Sequence, residues 1–166
     1  LLVSHRQWVV NASPIILLGD INQLQLLEAL CAKLVVPRAV VTEILAGPHE
    51  DEAQRWIQGR GASFVYEQSS MDSVIVGWDL GAGETAVLTW ARQHPEYEAI
   101  LDDRAARDCA TTLRIPVRGT LGVILTAKRA GLVQQVKPLF NALIDAGLRI
   151  SPEVLYMALH LAKETI

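Results

Sequence analysis

The chain has 166 residues with a formal net charge of −3; half of them are hydrophobic and a fifth charged. That composition excludes a disordered chain, and the length fits one domain with a substantial buried core. No apolar run approaches the roughly 18 residues needed to cross a bilayer, and Leu1–Arg6 lacks the ordered regions of a secretion signal, so the expected location is cytoplasmic.

Trp8-Val9-Val10 reads as a short buried strand, and Ser13-Pro14 as an N-cap with proline opening a helix through Leu18. Leu24, Leu26, Leu27 and Leu30 show helical spacing. Leu34-Val35-Val36 is a second strand, ended by Pro37, which starts a helix with Val40, Val41, Ile44 and Leu45 on one face. A polar helix runs from Glu50 to about Gln58, and Ser63–Tyr66 is strand-like. Glu67–Gly83 carries no clear period.

A helix over Thr85–Gln93, a strand over Glu98–Leu101 and a helix over Arg104–Leu113 follow. Ile115-Pro116-Val117 is a further short strand. The next helix opens at Gly119-Thr120-Leu121-Gly122, runs to Arg129 and stops at Gly131. Two helices close the chain, near Gln135–Asp145 and from Ser151-Pro152-Glu153 to Ala162, the last with a serine cap and proline at its first position. Strands alternating with helices predict an α/β fold with a mostly parallel sheet, whose ligands bind beyond the carboxyl ends of the strands.

The candidate site residues sit at those ends. Asn11 follows the first strand, and Asp102 and Asp103 follow Ala99-Ile100-Leu101. Glu43 and Glu84 lie in helices able to border the same crevice. Carboxylates delivered to one point from several elements are what a hard divalent cation requires, and such a cation serves phosphodiester cleavage. Each position also has a plain structural explanation. Glu43 and Glu84 suit exposed helix faces, Glu84 suits the positive end of a helix dipole, and Asp102-Asp103 suits a capped helix start. His49-Glu50-Asp51-Glu52 reads as an acidic first helical turn rather than a metal cluster.

Cys31 and Cys109 read as small buried hydrophobes, and no nucleophilic-catalysis motif is present. Charge is unevenly spread: eight basic residues against two acidic from Arg104 to Arg149, and five basic against thirteen acidic from Glu28 to Asp103. An acidic site beside a basic face suits a polyanion, although solvated helix faces give the same pattern.

In the order and spacing of Val9–Ile16, Val36–Glu43, Leu80–Ala86, Leu101–Arg107 and Val117–Val123, continuing to Ala127–Gly131, the chain resembles PIN-domain proteins. More narrowly it is similar to a prokaryotic PIN-like branch related to toxin-type nucleases. The resemblance implies a single PIN-like domain over residues 1–166, a three-layer α/β/α architecture, and a Mg²⁺- or Mn²⁺-dependent ribonuclease. It puts Glu43, Glu84 and Asp103 in the catalytic metal site, with Asn11 and Asp102 completing the ligand set and Ser13 and Thr120 lending hydroxyls. Arg104 and Arg107, one helical turn apart, are the expected contacts to the RNA backbone. As partners it implies RNA, an antitoxin protein and a second copy of the chain in a homodimer, without a membrane. Asn11 departs from the pattern, because a PIN nuclease ordinarily has aspartate there. A PIN-fold module that binds RNA or protein without cutting is the alternative that Asn11 motivates.

Overall fold

The computed structural model describes residues 4–164. Strand β1 (Gln7–Val10) leads through α1 (Ala12–Asp20) and α2 (Gln25–Leu30) to β2 (Lys33–Pro37). Helices α3 (Arg38–Leu45) and α4 (Glu52–Gln58) and a 3₁₀ turn (Arg60–Phe64) precede β3 (Val65–Tyr66). The chain returns through α5 (Ser73–Val76) and α6 (Ala82–Gln93) to β4 (Glu98–Ile100), then through α7 (Arg104–Thr112) to β5 (Val117–Arg118). Helices α8 (Thr120–Arg129), α9 (Lys137–Asp145) and α10 (Pro152–Leu161) follow.

All five strands are parallel, in the order β3-β2-β1-β4-β5. Helices flank the sheet as the expected three-layer α/β/α arrangement requires. A parallel sheet covered on both faces needs strands that are apolar on both faces. The central strand meets that demand: Trp8, Val9 and Val10 are fully buried, and so are Ala99 and Ile100 beside them on β4.

The chain leaves β1 toward β2 and β3 on one side and comes back to β4 and β5 on the other. Successive connections therefore diverge between β1 and β4, and a crevice opens at their carboxyl ends. Among the described residues no helix is long and apolar enough to cross a membrane.

Several local expectations are corrected. Asn11, not Ser13, is the N-cap of α1, and Ser13 and Pro14 lie inside its first turn, where the missing proline N–H costs nothing. Of Ser63–Tyr66, only Val65 and Tyr66 pair as a strand. Phe64 stacks on Trp56 at 6.1 Å, which keeps the residues before it in the 3₁₀ turn. Leu45 is 41% exposed and does not join the buried face of α3. The stretch without a period holds α5, one turn long, with the Asp72 side chain accepting from the Val74 and Ile75 N–H groups. The strand expected at Ile115–Val117 is Val117–Arg118. The stop after α8 is as expected, with Gly131 at φ +78°. Cys109 is buried; Cys31 is half-buried, with its thiol pushed up to about 12 by desolvation.

The last described segment is tied to the body through Glu164, which accepts from Lys128 Nζ at 2.6 Å, Val136 N at 2.8 Å and Lys137 N at 3.0 Å. Burial pushes its carboxyl up, but the bonds from Lys128 and the two backbone N–H groups outweigh it and hold the pKa below the ordinary 4.5. A depressed carboxylate pKa stabilises the fold above the unfolded-state value, and that contribution is lost as pH falls through the folded-state value. Glu164→Gln should therefore destabilise the protein by about 1–3 kcal/mol near neutral pH. The gap to wild type should close below pH 4.5 in denaturant titrations; a gap independent of pH would mean that the charge of Glu164 contributes nothing.

Candidate metal and nucleic-acid site

Asn11 starts where β1 ends. Its backbone N–H donates to the Ile100 carbonyl at 3.0 Å, which ties it to the end of β4. Asparagine is among the best N-cap residues, yet here its side chain caps nothing. Instead the Asn11 amide Nδ2 donates to Glu84 Oε1 at 3.4 Å. Its Oδ1 is buried with no hydrogen-bond partner among the described residues, a costly state for an amide oxygen.

Glu43 reaches the same place from α3. Its Oε1 accepts from the Gly83 N–H at 2.9 Å, one of the free donors in the first turn of α6. The approach requires glycine: a Cβ on Gly83 would stand 2.6 Å from Glu43 Oε1 and 2.9 Å from Asn11 Oδ1. Glu84, one residue further along α6, is the acceptor of the Asn11 amide.

The two aspartates after β4 behave differently. Asp103 caps α7, its Oδ2 accepting from Ala106 N at 2.9 Å. Asp102 is held by Thr120 on the neighbouring β5–α8 turn through both oxygens, from the backbone N–H at 2.8 Å and the hydroxyl at 2.6 Å. Among the described residues, Glu43, Glu84 and Asp103 each keep one carboxylate oxygen with no protein donor, whereas both oxygens of Asp102 are engaged.

Asn11, Glu43, Glu84, Asp102 and Asp103 line one cavity of about 770 Å³ at the β1–β4 crevice. Ser13 and Arg104 line it too, with Ser13 exposed at the rim. Arg107 instead borders the adjoining groove, and Thr120 is fully buried behind Asp102. Two lining residues are absent from the sequence-based set. Asp20 shares one face of α1 with Ser13, Ile16 and Leu17, and that i, i+3, i+4, i+7 spacing from Ser13 was the available signal. Partial burial, with the Asp51 charge adding, pushes its carboxyl above the ordinary value. Arg149 comes from the loop between α9 and α10, and no local pattern marks it.

The donors fit a hard divalent cation in kind: they are all oxygen, and one of them, Asn11 Oδ1, is buried without a partner. Their convergence is incomplete, for among the described residues no three His, Cys, Asp or Glu side chains are grouped to hold a metal ion. The amide of Asn11 lies beside both Glu43 and Glu84. A family model described as a PIN domain matches residues 7–164. No curated protein matches the chain.

Thr120→Val keeps the shape of the side chain but takes a donor from Asp102, leaving Asp102 Oδ2 unpaired. It should cost about 1–3 kcal/mol in chemical denaturation, and Thr120→Ser should recover most of the loss. Equal stability of the valine and serine variants would mean that the hydroxyl does not hold Asp102.

Proposed function

The chain belongs to the PIN-domain family, and we propose that it is a divalent-metal-dependent nuclease cleaving single-stranded RNA in the cavity at the β1–β4 crevice. The observation that carries this reading is the meeting of Asn11, Glu43, Glu84, Asp102 and Asp103, from four separate segments, around one cavity. Glu43, Glu84 and Asp103 would hold Mg²⁺ or Mn²⁺ through the oxygens the scaffold leaves free, with Asn11 Oδ1 as a neutral ligand. When bound, such a cation supplies a lowered water pKa and charge to offset that of the phosphate.

The remaining roles belong to the chain itself. Asp102 is a positioning residue that locks the β5–α8 turn against the end of β4 through Thr120. Arg104, at the cavity, offers a guanidinium to the phosphate at the reacting position, and Arg107, one turn along α7, to a neighbouring phosphate. The exposed Ser13 hydroxyl at the rim can donate to a backbone oxygen.

A specific observation favours a second reading, a module that binds RNA without cutting it. Asn11 brings no charge and donates to Glu84, so the cluster is already partly compensated without a cation. Asn11→Asp separates the two. Adding a further carboxylate should raise cleavage by about tenfold or more, equivalent to at least roughly 1.4 kcal/mol of barrier. It should also lower stability in EDTA, through repulsion and loss of the donated bond.

On the nuclease reading the wild-type protein cleaves single-stranded RNA with Mg²⁺ or Mn²⁺ and stops in EDTA. Mn²⁺ at about a hundred times its dissociation constant should stabilise it by roughly 2.7 kcal/mol, and Glu84→Gln should shrink that gain. RNA left intact under both metals, with cleavage appearing only in Asn11→Asp, would establish the binding module instead.

A further inference from the structure

One acid in the cavity takes no part in the proposed cation set. Asp20 ends α1 and is exposed into the same cavity of about 770 Å³ that Asn11, Glu43 and Glu84 line. A helical rise of about 1.5 Å per residue puts it roughly 13 Å along α1 from Asn11. A cation with oxygen bonds of about 2.0–2.6 Å cannot be shared over that span.

The local structure disfavours a negative charge at this position. The last turn of a helix carries the negative end of its dipole, and α1 has no basic residue there to offset it. Partial burial and the nearby Asp51 charge both push the Asp20 carboxyl above its ordinary value, and no hydrogen bond acts to lower it. Asp20 forms no ion pair among the described residues. A charge that costs stability and gains none from the fold is the kind of broken local rule that marks a functional position.

The surface beside it is apolar and rigid. Ile16 and Leu17 share the cavity face of α1 with Asp20, and Leu148 lines the cavity from the turn after α9. In that turn the Leu148 N–H donates to the Leu143 carbonyl at 2.9 Å and the Gly147 N–H to the Ile144 carbonyl at 3.0 Å, with Gly147 at φ +114°. This is a glycine-terminated helix end, closed by the burial of Leu148. Arg104 and Arg149 border the same cavity.

The chemistry at Asp20 selects the base it can hold. Bases of a single strand are free to pack on apolar side chains and to be read along their pairing edges. An ionised carboxylate only accepts hydrogen bonds. Among the four RNA bases, guanine alone presents two adjacent donors on that edge, N1–H and the 2-amino group. Adenine and cytosine set one donor beside an acceptor, and uracil sets one donor between two acceptors, which a carboxylate repels.

Given the single strand that the nuclease reading brings into this cavity, on which this inference rests, we propose that Asp20 is a base-specificity residue. It accepts from N1–H and the 2-amino group of a guanine packed on Ile16, Leu17 and Leu148, while Arg104 and Arg149 meet flanking phosphates. The guanine belongs to a nucleotide beside the reacting one, because α1 holds Asp20 away from the acids of the cation set.

The test uses the full chain and uridine dodecamers carrying one central guanine, inosine, adenine or cytosine. Affinity is read by fluorescence anisotropy in Ca²⁺, a hard cation with oxygen ligands, and cleavage separately in Mn²⁺. The guanine strand should bind about tenfold or more tightly than the adenine strand, as a good bidentate pair gives. Inosine, which lacks the 2-amino group, should bind severalfold more weakly than guanine. Asp20→Asn, whose amide sets one acceptor beside one donor, should lose the guanine preference and favour adenine. That variant should melt no lower than wild type, since it removes a charge from the C-terminal end of α1, and should keep the full stabilisation by Mn²⁺.

Equal affinity for all the strands, or a guanine preference that survives in Asp20→Asn, overturns the proposal. A lower melting temperature in that variant would make Asp20 a structural anchor, and lost Mn²⁺ stabilisation would make it a metal ligand; either result contradicts a base-reading role. Guanine-selective binding without cleavage in Mn²⁺ would sink the nuclease reading and keep Asp20 as the reader, whereas cleavage without base preference would do the reverse.

Discussion

Placing several carboxylates around one cavity is the constraint on which this structure turns. Like charges in a partly buried site repel, and the fold compensates each of them separately. Glu43 and Asp103 each accept a backbone N–H from the first turn of a helix, α6 and α7 respectively, where the helix dipole favours negative charge. Asp102 is bound through both oxygens by Thr120. Glu84 sits in the first turn of α6 and accepts from the Asn11 amide. Each acid is anchored to the scaffold by a different element, and three of them keep an oxygen facing no protein donor among the described residues.

The sheet topology makes that meeting possible. β1 and β4 are neighbours in space but separated in sequence by the whole excursion through β2 and β3. The connections leaving their carboxyl ends go opposite ways, and the gap between them is the cavity. Asn11 is drawn to both duties at once. As an N-cap it would ordinarily bond its own helix, but its side chain serves the site and leaves Oδ1 unpaired. Helix α7, which follows β4, presents Arg104 to the cavity and Arg107 to the groove beside it, so arginines stand at the mouth of an acidic centre.

Much of this was legible in the sequence because the central strands must be apolar on both faces. Trp8-Val9-Val10 and Ala99-Ile100 announce themselves as continuous hydrophobic runs, and the residues after them mark the carboxyl edge. What the sequence hid was tertiary. Ser13 looked like a cap because Ser-Pro is a strong local signal, but the chain turns helical two residues earlier under the pull of the Asn11–Ile100 bond. The Ser63–Tyr66 run was shortened by the stacking of Phe64 on Trp56. Helix α5 is one turn long, too short to show a period. Arg149 carries no motif, and only the path of the α9–α10 loop brings it to the cavity that Arg104 also lines. Asp20 was within reach, since its spacing from Ser13 sets both on one face of α1.

The central claim is that the cavity at the β1–β4 crevice is a divalent-cation site despite the uncharged Asn11. Anomalous diffraction from crystals soaked in Mn²⁺ tests it most directly. A manganese peak within about 2.0–2.6 Å of oxygens from Glu43 and Glu84, with Asn11 Oδ1 or Asp103 completing the shell, is the expected result. A fully occupied peak at the acidic turn Glu50-Asp51-Glu52, or no peak in the cavity at saturating Mn²⁺, would contradict it.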